Sequence, residues 1–101
     1  MKQMAELNGK QRRKLKSLAH HLKPVVYIGK NGITDGLMAA VEQALDDHEL
    51  IKIKFIDFKD AKRAFLDKIA EGTGAEILNL IGNIAIVFRQ SREESKRKFE
   101  L

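Results

Sequence analysis

The chain contains no cysteine. This excludes a disulfide framework, a thiolate nucleophile and any cysteine-ligated zinc or iron–sulfur centre, and makes a reducing cytosol the expected compartment. Tryptophan is also missing, and the aromatic rings are one tyrosine and five phenylalanines. No window approaches the roughly 18 consecutive apolar residues of a membrane span, and residues 1–10 lack the unbroken apolar stretch of a signal peptide. The expectation is a protein neither exported nor membrane-spanning. Catalytic constellations are equally scarce. There is no Gly-x-Ser-x-Gly elbow and no His-x-x-x-His or Glu-x-x-His spacing, and the three histidines are scattered. His20 and His21 point about 100° apart on a helix and cannot chelate together; Asp46 and Asp47 fail in the same way. An enzyme, a metal site and a bound cofactor are therefore not expected.

What is present is a globular balance, 44% apolar against 33% charged in 101 residues. A chain of this size buries roughly 65% of its unfolded surface, enough for one domain that folds alone. The net charge of +5 is unevenly distributed. Residues 1–24 hold seven basic side chains against Glu6, giving +6, and residues 25–50 set Lys30 against five carboxylates, giving −4. Residues 51–74 add +2 and residues 75–101 add +1. Such segregation suits a protein with one face for phosphates and another for solvent.

Asn8 and Gln11 have the chemistry of a capping box, and Leu15, Leu18, Ala19 and Leu22 then form a helical stripe that Pro24 stops. Lys10, Arg13, Lys16, Ser17 and His20 occupy the opposite arc. Val25 to Ile28 read as a short buried strand. Thr34 is placed to cap a second helix carrying Leu37, Val41, Ala44, Leu45 and His48, with its acidic cluster outward and His48 capping or partly buried at its end. Ile51, Ile53 and Phe55 alternate with Lys52 and Lys54, the period of an amphipathic strand. Asp60 is placed to cap a third helix through Ala61, Ala64, Phe65 and Ile69, ended by Gly72-Thr73-Gly74. Ala75–Ile81 and Ile84–Arg89 are joined by Gly82-Asn83, a loop suited to a type I′ or II′ hairpin.

The order α-β-α-β-α-β-β describes a single compact α/β domain with a four-stranded mixed sheet. Crossovers through the second and third helices make its first three strands parallel. The first and fourth strands, apolar on both faces, require cover on both sides, and the first helix is the spare element to cover part of the second face, the polar face of the second strand staying open. The domain is read as residues 1–90, with 91–101 a charged extension, frayed helix or tail. Met4, Leu7 and Phe99 read as core or end anchors.

Gly29-Lys30-Asn31-Gly32 is the sharpest candidate site. It lies between a strand and the first turn of a helix, where unpaired amides and the positive dipole end favour phosphate. Glycine at both ends admits a close backbone, Lys30 supplies a point charge, and Asn31 offers hydrogen bonds. The spacing alone is weak, since a chain with 7 Gly in 101 residues produces a Gly-x-x-Gly by chance about every other time, so the context carries it. The cations of the first helix and its exit, Lys10, Arg12, Arg13, Lys16 and Lys23, extend the site if its basic arc packs toward the loop. Lys52 and Lys54 extend it further, as does Lys96-Arg97-Lys98.

Several blocks in order then resemble a known family: Leu7-x-Gly-Lys-Gln-Arg-x-x-Leu-Lys-x-Leu-Ala-His, Val26-x-Ile-Gly-Lys-Asn-Gly-Ile-Thr, Glu49-Leu-Ile-Lys-Ile-Lys-Phe and Ile81-Gly-Asn. The succession, over about residues 4–90, resembles the CRM domain (chloroplast RNA splicing and ribosome maturation), and more closely its bacterial single-domain YhbY branch. The resemblance implies a fold similar to the C-terminal domain of translation initiation factor three. It also implies RNA binding through the Gly29–Gly32 loop, and association with pre-ribosomal particles and large-subunit ribosomal RNA precursors in ribosome assembly, without catalysis. Many relatives carry tyrosine where this chain has Phe88 before Arg89. A cytoplasmic monomer is expected. No pair of stacking aromatics is visible for a base-reading sheet, because the six rings fall mostly in apolar positions. The main rival reading is a protein-interaction adaptor that docks a basic ribosomal protein on the acidic face of the second helix; a second is duplex DNA binding, for which no helix presents a helix-turn-helix spacing.

Overall fold

A computed structural model describes residues 7–101; Met4 and the other residues of 1–6 lie outside the described residues. The helices are α1 (Gly9–Ala19), α2 (Asp35–His48) and α3 (Lys62–Thr73), and the strands are β1 (Val26–Ile28), β2 (Leu50–Phe55), β3 (Glu76–Ile81) and β4 (Ile84–Phe88). Short 3-10 turns occupy Lys59–Ala61 and Glu94–Lys96. The sheet order is β1-β2-β4-β3, with β1 parallel to β2 and β4 antiparallel to both its neighbours. The first three strands thus run the same way, as the crossovers require.

Local chemistry accounts for most boundaries. The Asn8 side chain accepts the Gln11 N–H at 2.8 Å and the Gln11 side chain accepts the Asn8 N–H at 3.0 Å, closing the capping box. Thr34 Oγ1 accepts the Leu37 N–H at 3.0 Å to start α2, and Gly74 ends α3 at φ +76°. In the hairpin, Gly82 has φ +58° while Asn83 stays out of the left-handed region, the type II′ choice of the two.

Alternation on the strands separates two apolar layers. Ile51, Ile53 and Phe55 of β2 join Val26, Ile28, Ala85 and Val87 beneath α2 and α3, which contribute Val41, Leu45, Leu66 and Ile69. The opposite face packs Leu50, Leu78, Ile86 and Phe88 against Leu15 and Ala19 of α1, with Leu7 and Phe99 at its margin.

Four expectations change. The α1 helix ends at Ala19 instead of running to Pro24, because the Leu22 N–H turns back to the Ala19 carbonyl and Lys52 Nζ holds the Leu22 carbonyl at 3.0 Å. Leu22, past the end of the helix, is exposed, and so is Leu18, although it lies within α1. The segment Val25–Ile28 is not buried throughout. Val26 and Ile28 are in the core, but Val25 and Tyr27 point to the other face, where α1 reaches only the far end of the sheet. Asp60 caps nothing. Phe58, at φ +57°, turns the chain so that its ring lies 5.0 Å from that of Phe65, and Asp60 falls within the 3-10 turn before α3. His48 ends α2 as an exposed residue.

The extension is neither a continuous helix nor loose. Glu49, 1% exposed, accepts backbone N–H groups of both Ser91 and Lys98, while Phe99 meets Phe88 edge-on at 6.3 Å. Phe88 is 3% exposed, so a phenyl ring without a hydroxyl suits its place in this apolar layer.

Candidate nucleic-acid interface

The loop after β1 is a tight turn in which the Gly32 N–H donates to the Gly29 carbonyl at 3.0 Å. Its two glycines are there for different reasons. Gly32 has φ +66°, and a Cβ there would stand 3.4 Å from the Phe58 ring and 3.5 Å from that of Phe65. Backbone and packing therefore both demand glycine at 32. Gly29 lies outside the left-handed region, and a Cβ on it would meet nothing within 4 Å. Neither the turn nor the core explains that glycine, and the open space above it is where another backbone can approach.

Lys30 and Asn31 sit exposed at the tip, and their side chains make no hydrogen bond or ion pair among the described residues. The helix that follows is less inviting than its dipole suggests, because Asp35 already places a carboxylate in its first turn.

The cations divide into free and committed ones. Arg12 is committed: its guanidinium bonds Glu76 at 2.7 Å and the Ile77 carbonyl at 3.1 Å, tying α1 to β3. Lys10, Arg13 and Lys23 are exposed and Lys16 is half-buried. Lys52 keeps its bond to the Leu22 carbonyl, whereas half-buried Lys54 has no side-chain partner among the described residues.

The α1 helix does not turn its basic arc onto the loop. It covers Leu50, where β2 begins, while the loop follows Ile28, level with Phe55, where β2 ends. Those levels are about 17 Å apart at the rise of a strand. What joins them is the open half of the same face. Lys52 and Lys54 lie along β2, and Tyr27 is paired with Lys54.

Sequence reasoning missed Tyr27, which is 54% exposed. The signal was topological: with two helices used as crossovers, one 11-residue helix cannot cover a whole four-stranded face. The run Val-Val-Tyr-Ile hid this because its apolar residues serve different faces. Among the described residues, no group of three His, Asp or Glu side chains is placed to hold a metal ion, and no helix is long and apolar enough to cross a membrane.

The family model for the CRS1 / YhbY (CRM) domain matches residues 7–89. The chain belongs to that family. A Pseudomonas aeruginosa protein named as a probable RNA-binding protein is 40% identical over 91 residues, spanning 89% of this chain and 88% of its own. A Haemophilus influenzae protein named RNA-binding protein is 43% identical over 91 residues, at 89% and 92% coverage. The solution structure of a hypothetical protein from Staphylococcus aureus superposes with TM-score 0.75 at 33% identity, covering 94% of this chain and all of that one. The matched span, residues 7–89, covers the glycine loop and β2.

Proposed function

We propose that this CRM domain binds RNA, seating a sugar–phosphate backbone on the Gly29–Gly32 turn while Lys30, Lys54 and Lys52 neutralise phosphates along the open face. The cations Lys10, Arg13, Lys16 and Lys23 prolong the field toward α1, and Arg12 contributes by holding that helix on the sheet. The observation that carries the reading is Gly29, a residue without a side chain where the fold leaves room for one, next to an uncommitted lysine. The names of the relatives support RNA as the ligand. The family resemblance further supports large-subunit ribosomal RNA precursors as the target and ribosome assembly as the role, in the cytoplasm and without catalysis.

The adaptor reading is the weaker of the two, because Arg89 already pairs with Glu42 and Asp46 of the acidic α2, each at 2.8 Å.

The two glycines provide the test. Gly29→Ala is expected to unfold in urea within about 0.5 kcal/mol of the parent, yet to bind precursor large-subunit RNA about tenfold more weakly, the loss of one charge-assisted backbone contact. Gly32→Ala is expected to lose about 1–2 kcal/mol of stability through its φ and the two rings. Unchanged RNA affinity in folded Gly29→Ala would contradict the seat.

A further inference from the structure

We propose that Tyr27 is a stacking platform for one unstacked nucleobase of the bound RNA, a site that rests on the RNA reading and adds a base contact to it. A single exposed apolar residue needs no explanation, but Tyr27 is not single. Across the sheet, register places Tyr27 beside Lys54, Lys54 beside Ile84, and Ile84 beside Ile81. Tyr27, Ile81 and Val25 are 54%, 59% and 49% exposed. The result is an open apolar strip on a rigid strand surface.

The ring is also positioned. Its hydroxyl donates to the Pro24 carbonyl at 3.4 Å, laying the ring back along its own strand. A tyrosine ring has only two side-chain torsions to fix when a base settles on it.

Charge selects the occupant. The open half of the face, formed by Val25, Tyr27, Lys52, Lys54, Ile84 and Ile81, carries two lysines and no carboxylate. The one β3 carboxylate, Glu76, lies at the covered end in the grip of Arg12. Lys54 stands beside the ring and Lys30 follows three residues later, so a base on Tyr27 has cations available for its flanking phosphates. A base–ring stack tolerates any base, which fits a chain that shows no hydrogen-bonding code.

The chain has one tyrosine and no tryptophan, so its intrinsic emission reports Tyr27 alone. The wild-type protein is titrated with a single-stranded RNA octamer and with an abasic phosphodiester of the same length, and binding of both is repeated with Tyr27→Leu and Tyr27→Phe. The expected result, after correction for nucleobase absorption at the excitation wavelength, is tyrosine quenching by the RNA and little by the abasic strand. Tyr27→Leu is expected to lower affinity for the RNA about tenfold and leave the abasic strand unaffected, while Tyr27→Phe keeps most of the affinity. If the RNA binds through Lys30 but leaves the emission unchanged, or if Tyr27→Leu keeps the parental preference for RNA over the abasic strand, the platform is overturned and the loop reading stands. If neither strand binds, both fall. If quenching follows protein concentration without RNA, the strip pairs with a second copy of the chain, and the platform is likewise overturned.

Discussion

Replacing Glu49 by alanine is expected to destabilise the protein by about 3 kcal/mol, because two backbone N–H groups lose a charged acceptor in a largely dry site. The carboxylate holds Ser91 and Lys98 at once, so it closes the chain from the end of α2 onto a segment more than forty residues later. With that clasp gone, Phe99 loses its hold on Phe88, and Lys14 loses the Glu100 carbonyl it reaches at 2.7 Å. For a chain of this length each kcal/mol lowers the melting temperature by about 4–8 °C, so a fall of about 15 °C is expected by calorimetry. Glu49→Gln should fall between, since its amide keeps one acceptor oxygen but turns an NH2 toward the other N–H. A melting temperature within two or three degrees of the parent would show that the extension contributes little to the fold.

Arg89→Met is expected to cost about 2 kcal/mol, read from urea unfolding. Arg89 leaves the end of β4 and binds Glu42 and Asp46 of α2 together with the Thr73 carbonyl at the end of α3, so one guanidinium joins three elements. Its side chain is 18% exposed, but those of Glu42 and Asp46 are 44% and 67% exposed, so solvent screening keeps the ion pairs modest. Most of the loss comes from the Thr73 carbonyl, in a residue 8% exposed, left without its donor, and from two neighbouring carboxylates no longer neutralised. Adding Glu42→Gln and Asp46→Asn to Arg89→Met should recover the part due to the two carboxylates, whereas no recovery would place the whole effect in the Thr73 carbonyl and side-chain packing.

The fold was legible because its signals are local. Asn8, Thr34 and Gly74 act within one turn of themselves, and the alternation of Ile51, Ile53 and Phe55 with lysines declares two faces. What escaped depends on partners distant in sequence. Nothing near Arg12 shows that Glu76 will claim it, so it reads like Arg13, which is exposed. Asp60 looks like a cap until the ring of Phe58 needs Phe65. Glu49 reads as one more surface carboxylate of an acidic helix until the extension folds back over it. The glycine loop was singled out by its place between strand and helix, but the contrast within it required coordinates: Gly32 is bound to its φ and its neighbours, and Gly29 is not. Tyr27 escaped for the same reason, since which half of a sheet face stays open depends on where a single helix lands.

In the proposed function, Lys30 at the loop and Lys54 on the open face lie on one RNA path. The most direct measurement is the affinity for precursor large-subunit RNA across a salt series, comparing the parent with Lys30→Gln, Lys54→Gln and the double variant, each confirmed folded. Each phosphate contact to a single strand contributes about 0.7 to the slope of log affinity against log salt, so the double variant is expected to lose about 1.4 in slope and roughly tenfold or more in affinity at moderate salt. Parental slope and affinity in the folded double variant would contradict the account and move the RNA surface away from the loop.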